Sequence, residues 1–158
     1  MNILTNRGFL WNTSQEAAIE RGELIHEIMS LIKTPQDLEF ALNQFVDAGT
    51  IKLEESEDLK HTIIQLLSHP KLKTYYETND QVINEKDILT KSGKSLRPDR
   101  VVINSKQEAY VIDYKTGKEE DKHEQQLYDY QTALEDMGIK VLKKILIYIN
   151  HEIVIKEL

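Results

Sequence analysis

The sequence contains no cysteine. That excludes disulfides, zinc–thiolate centres and cysteine-ligated iron–sulfur clusters, and it agrees with a reducing compartment such as the cytoplasm. Glycine and proline are scarce, six and three in 158 residues, so few positions interrupt regular structure and an ordered α/β or α+β domain is expected. No apolar run approaches the ~20 residues of a membrane span, and the first residues lack the basic-then-apolar pattern of a signal peptide. The expected protein is therefore cytoplasmic, with no membrane partner. No Gly-x-x-x-x-Gly-Lys-[Ser/Thr] phosphate loop occurs, so no nucleotide site of that kind is expected in this chain. Positive charge is also in short supply: 27 acids against 20 Lys and Arg give a formal net charge of −7. A general basic coat is thereby excluded, while a local basic path is not.

What is present falls into two halves. Residues 1–12 carry no periodic signal and read as a disordered leader or the edge of a fragment. Thr13-Ser14-Gln15-Glu16 reads as a capping box, and Ala18, Ile25, Met29 and Ile32 follow at helical spacing to about Lys33. Gly22 inside this helix costs about 1 kcal/mol against alanine, which predicts close approach of another element there. His26 lies one turn beyond it. Thr34-Pro35 opens a second helix with Leu38, Ala41, Leu42, Phe45 and Val46 buried, stopped at Gly49. Ser56-Glu57-Asp58 opens a third, with Leu59, Ile63, Leu66 and Leu67 inward until Pro70. These two helices show packing and no chemistry.

From Gln81 the period changes from 3.6 to 2. Strands are expected over 81–89, 96–104 and 108–116, with turns at Ser92-Gly93 and Ser105-Lys106-Gln107. A helix from about Glu120 to Met137 follows, closed by Gly138. Strands over 141–149 and 152–157 finish the chain, with Asn150-His151 as a two-residue turn. The expected order is ααα-βββ-α-ββ: one domain over 1–158, helical over 13–70 and a mixed sheet with a helix over 80–158.

Val111-Ile112-Asp113-Tyr114-Lys115-Thr116-Gly117 is the stretch that carries chemistry. In a strand, Asp113 and Lys115 share a face and Tyr114 points away, which by itself describes an ordinary ion pair. The turns add neighbours. If strands pair about Lys106, paired numbers sum to 212 and Asp99 sits opposite Asp113. If they pair about Ser92, the sum is 184 and Glu85 sits opposite Asp99. Three carboxylates then line up on a face continued by Val101, Ile103, Ala109 and Val111. Like charges so placed repel. Either one acid is protonated, or Lys115, Arg97 and Arg100 neutralise the row, or a hard divalent cation does, Mg²⁺ or Mn²⁺ being the economical choice.

Gly22-x-x-x-His26, Arg97-Pro98-Asp99-Arg100, Asp113-Tyr114-Lys115-Thr116-Gly117 and Gln126-Leu127-x-x-Tyr130 occur in the order in which the RecB-like nucleases carry them. The chain resembles this branch of the PD-(D/E)XK phosphodiesterase superfamily over roughly residues 14–150. The likeness points to the C-terminal nuclease domain of RecB- and AddA-type helicase–nucleases, which are ATP-dependent exonucleases. The element order contains that family's αβββαβ core, with extra N-terminal helices and a C-terminal β-hairpin. Two departures matter: the second acid is Asp113 and not Glu, which is ordinary in this branch, and the cysteine quartet that anchors an iron–sulfur cluster in some relatives is absent.

The resemblance implies that His26, Asp99 and Asp113 bind a catalytic Mg²⁺ or Mn²⁺ together with the backbone carbonyl of Tyr114. It implies that Lys115 orients or activates water or stabilises charge on phosphorus, that Gln126 and Tyr130 position the site, and that Glu85 supports it. Lys115, Lys118 and Lys122, around the start of the late helix, are placed to guide a phosphate backbone, and Lys91, Lys94, Arg97 and Arg100 form a local basic stripe. The implied activity is that of a metal-dependent DNA nuclease, an exonuclease domain of recombination and repair. Its implied partners are DNA and an ATP-dependent helicase region in the same polypeptide or complex, of which this chain would be a fragment. The alternative is a catalytically silent DNA-binding or scaffolding module on the same fold.

Overall fold

Helical periodicity in the first half and alternation in the second produce two different layers. In the computed structural model, which describes residues 6–158 and side chains from residue 15 onward, α1 spans Asn6–Ser30. It runs through Thr13, so the expected capping box is not its start. No proline interrupts 6–12, and each further residue adds a backbone bond once the turn behind has formed. Residues 1–5 of the expected leader lie outside the described residues. The helix closes at Ser30, short of Lys33, because Leu31 and Ile32 donate three residues back and tighten the last turn.

Thr34-Pro35 starts a 3-10 turn, Pro35–Asp37, leading into α2 (Leu38–Asp47). Gly49, at φ +73°, lies just beyond it. α3 (Leu53–Leu67) begins three residues before the expected Ser56, and the Glu55 carboxylate accepts the Lys52 N–H at 3.4 Å. One further turn, α4 (Lys73–Tyr76), was not legible as a helix and buries Tyr75 and Tyr76.

The strands are β1 (Gln81–Asn84), β2 (Ile88–Leu89), β3 (Ser95–Leu96), β4 (Arg100–Ile103) and β5 (Glu108–Lys115). After α5 (Asp121–Asp136) come β6 (Lys140–Ile149) and β7 (Ile153–Glu157). The expected strand over 81–89 is therefore two: Glu85, at φ +49°, turns the chain, and β2 leaves the main sheet to pair with β3. The main sheet has the order β1-β4-β5-β6-β7. β5 and β6 run parallel, the other pairs antiparallel, and α5 is the crossover that a parallel pair requires. The last turn has three residues, 150–152, because Ile149 pairs with Ile153. Asn150 is drawn away from the ladder: its side-chain oxygen accepts the Gly117 N–H at 2.9 Å and its amide donates to the Gly117 carbonyl at 3.1 Å.

The sheet separates two cores. Ile112, Tyr114, Ile145 and Ile147 pack on the α1–α4 side with Ile25, Met29, Ile63 and Tyr76. Val101, Ala109, Val111 and Leu146 pack on the other side with Leu127, Tyr130 and Leu134 of α5. The described residues form a mixed α/β fold with a mixed sheet and five α-helices. No helix among the described residues is long and apolar enough to cross a membrane.

Candidate active site

The site forms where α1 crosses the end of β5. A side chain at Gly22 would collide with Thr116 Cγ2, so the glycine is what lets the helix lie against the residue after Lys115. One turn on, His26 reaches past the strand ends to two carboxylates. Its Nε2 lies 2.7 Å from Asp99 Oδ1 and 2.9 Å from Glu85 Oε1. One nitrogen thus faces two acceptors, and a single N–H cannot be directed fully at both. The Asp99 hydrogen bond is the main reason the imidazole is held above its ordinary pKa, with burial opposing it and the Glu85 and Asp113 charges adding to it.

The strand registers follow the sums read from the turns. Arg100 pairs with Ile112 and Asn84 with Arg100, so Asp99 continues opposite Asp113 and Glu85 opposite Asp99. Asp99 sits just before β4, where its own N–H is free to donate to Asp113 Oδ1 at 3.2 Å and its Oδ2 accepts the Tyr114 N–H at 2.8 Å. Glu85 donates its N–H to the Asp99 carbonyl at 3.1 Å. The acids are therefore fixed by backbone as well as by side chains.

Asp113 is 1% exposed. Burial first, and the Asp99 charge second, push its carboxyl up to about 7, against the opposing pull of Lys115. Asp113 and Lys115 form an ion pair: Lys115 Nζ lies 2.9 Å from Asp113 Oδ2, and it also donates to Gln126 Oε1 at 2.5 Å. An ammonium has three donors, so one remains for a third partner. Tyr130, from the next turns of α5, donates its hydroxyl to the Arg97 carbonyl at 3.3 Å, and burial keeps it a neutral phenol.

His26, Asp99, Asp113, Tyr114, Lys115, Gln126 and Tyr130 all line one cleft of about 340 Å³. Among the described residues, the three side chains whose ligand atoms lie within 4.8 Å of one another are His26, Glu85 and Asp99. Glu85 thus stands beside His26 on one side of Asp99, and Asp113 sits on the other side with Lys115. One imidazole nitrogen and two carboxylate oxygens, partly open to solvent, are a donor set that fits a divalent cation of the Mg²⁺ or Mn²⁺ type.

The basic residues divide. Lys118 and Lys122 are exposed near the start of α5. Arg97 is exposed on the cleft rim but held by Asp87 through bonds of 2.9 and 3.2 Å. Arg100 is 0% exposed and cannot touch DNA, contrary to expectation: a strand residue next to an outward-facing one points inward, and here it points into the helical layer. The sequence reading also missed His123, which is buried in the cleft wall with Nδ1 2.8 Å from the Tyr148 hydroxyl. Burial and the nearby Lys115 charge hold it below the ordinary histidine pKa. Its spacing, three before Gln126 and seven before Tyr130, was the available signal.

The sequence model of the PD-(D/E)XK nuclease superfamily matches residues 4–155. No curated protein matches the chain. Among solved structures, one titled "Crystal structure of SSO0001" aligns at 20% identity and a TM-score of 0.35, covering 82% of this chain and 65% of the other. The aligned part is thus less than two thirds of that protein's length.

Proposed function

Because the chain belongs to the PD-(D/E)XK nuclease superfamily, we propose that it is a Mg²⁺- or Mn²⁺-dependent deoxyribonuclease acting as an exonuclease in DNA recombination or repair. Members of this superfamily are usually metal-dependent nucleases, and the chain carries such a nuclease domain. The observation that carries the finer reading is the meeting of His26, Glu85 and Asp99 beside a buried Asp113–Lys115 pair, with His26, Asp99, Asp113 and Lys115 lining one cleft.

A divalent cation bound there would neutralise charge on phosphate and lower the pKa of water. His26, Glu85 and Asp99 would hold it, with Asp113 and the Tyr114 carbonyl as the further ligands on the strand. Lys115 keeps a fixed positive charge in the cleft, where hydrolysis of a phosphodiester adds negative charge. Its amine is aimed by Asp113 and Gln126, leaving one donor for a phosphate oxygen or the attacking water. Tyr130 ties α5 to the Arg97 carbonyl two residues before Asp99, and so positions the acid. Lys118, Lys122 and Arg97 lie where the strand's phosphates would pass.

The RecB/AddA relationship and a helicase partner, in the same polypeptide or complex, are part of the same proposal. They are supported by the motif order, the lack of a phosphate loop and a net charge of −7, which suits a module handed its DNA by a neighbour. Incubation with single- and double-stranded DNA, with Mg²⁺ or Mn²⁺ and then EDTA, tests the reading. Cleavage that disappears in EDTA and in Asp113→Ala is the expected result. DNA binding without cleavage under either ion would favour the silent module.

A further inference from the structure

Asn84 and Arg100 are directly opposed on β1 and β4, and each is the chain neighbour of a site acid: Asn84 precedes Glu85, and Arg100 follows Asp99. Strand alternation turns both toward the helical layer while the acids face the cleft. There they close on the C-terminal end of α1. Asn84 Nδ2 donates to the Ser30 and Ile32 carbonyls at 3.2 and 2.9 Å. Arg100 Nη1 donates to the Ile32 carbonyl at 2.8 Å, and Nη2 to those of Lys33 and Tyr75 at 2.7 and 2.8 Å. The guanidinium also lies 4.5 Å over the Tyr76 ring, on α4.

The Ser30 and Tyr75 carbonyls are among those that a helix end leaves without intrahelical partners, and Ile32 and Lys33 lie in the chain just beyond α1. Ordinary caps or water could satisfy them without burying a charge. Here a fully buried guanidinium does so, and among the described residues it has no carboxylate partner and each of the two side chains leaves one polar atom unmatched, Asn84 Oδ1 and Arg100 Nε. Arrangements that carry such desolvation costs persist where something else depends on their geometry. His26 lies one helical turn before Ser30 on the same rigid helix, so whatever fixes the end of α1 fixes Nε2 against Glu85 and Asp99.

We propose that Asn84 and Arg100 form a clasp of positioning residues that sets the spacing of His26, Glu85 and Asp99, and with it the affinity of that cluster for a divalent cation. The clasp rests on the reading of the cluster as a cation site. It acts from behind the site and touches neither cation nor substrate.

Mn²⁺ titration calorimetry on the full chain tests it, with Asn84→Ala and the charge-preserving Arg100→Lys as variants and circular dichroism to confirm folding. Leu66→Ala, in the helical core away from the site, serves as the control for lost stability alone. Each clasp variant should weaken Mn²⁺ binding about tenfold, as outer-sphere changes at metal sites do. Leu66→Ala should stay within about twofold of the parent despite a lower Tm, as distant sites do. Parental affinity in both clasp variants, or an equal loss in Leu66→Ala, would overturn the clasp while leaving the cation site standing. A parent that does not bind Mn²⁺ at all would remove the cation reading itself, and the clasp with it.

Discussion

The two halves of the cleft solve the same electrostatic problem differently. Around Asp113 the carboxylate is sealed from water and its counter-charge is built into the chain as Lys115, 2.9 Å away. Around His26, Glu85 and Asp99 the side chains are 34%, 28% and 13% exposed, and two carboxylates share one imidazole nitrogen. The buried half is complete by itself. The open half has more acceptors than donors and faces the solvent from which a cation would come. In the proposed site a fixed positive charge for the phosphate would thus stand beside a place for an exchangeable one, and the strand ends of β4 and β5 are what hold the two side by side.

Asp99 belongs to both halves, so breaking it should have the largest effect. Asp99→Ala removes the acceptor of His26 and of the Tyr114 N–H, and DNA cleavage in Mn²⁺ should fall by at least ~10³-fold, about 4 kcal/mol of barrier. Rates measured on end-labelled DNA check it. Lys115→Met breaks the buried half alone: the rate should drop roughly 10²-fold with no loss of Mn²⁺ affinity by calorimetry, since the amine competes with a cation for Asp113 and contacts none of the open cluster.

The next effect separates the halves by pH. Asp113, raised from 3.8 to about 7, binds its proton more tightly in the folded chain than in the unfolded one. Its contribution is therefore fully present below pH 3.8 and is lost as pH rises through 7. His26, also raised, loses stability in the same direction above its unfolded value of 6.5. In EDTA, urea unfolding should show the parent about 2–3 kcal/mol less stable at pH 8 than at pH 5, and Asp113→Asn should flatten most of that slope and leave the His26 part. The smallest effect is steric. Gly22→Ala should lower stability by about 1–2 kcal/mol in a thermal melt, the collision with Thr116 outweighing the gain in helix propensity.

The parts of this site that were legible in the sequence are those set by short loops. The turn around Lys106 fixes a sum of 212 because only four residues separate β4 from β5, and the turn around Ser92 fixes a sum of 184 for β2 and β3 that β1 and β4 keep on either side of that hairpin. The alternation along β5 likewise placed Asp113 with Val111 and Tyr114 with Ile112. What required the structure was tertiary. Arg100 looks like surface charge, and its burial depends on carbonyls some 25 and 68 residues away in the chain. Glu85 sits in a strand-like run, yet its φ of +49° ends β1 and re-aims its side chain at His26. Asn6–Thr13 continues α1 although a capping box follows, because a local cap competes weakly with a helix already propagating.

The claim that this cleft cleaves DNA through a cation held in its open half is tested most directly by one assay. Parent and Asp99→Asn, an isosteric change, are incubated with labelled DNA in Mn²⁺ and again after EDTA, and released nucleotides are counted. The expected result is release by the parent that EDTA abolishes and none above background from the folded Asp99→Asn protein. Release that persists in EDTA, or in Asp99→Asn at the parent's rate, would contradict it.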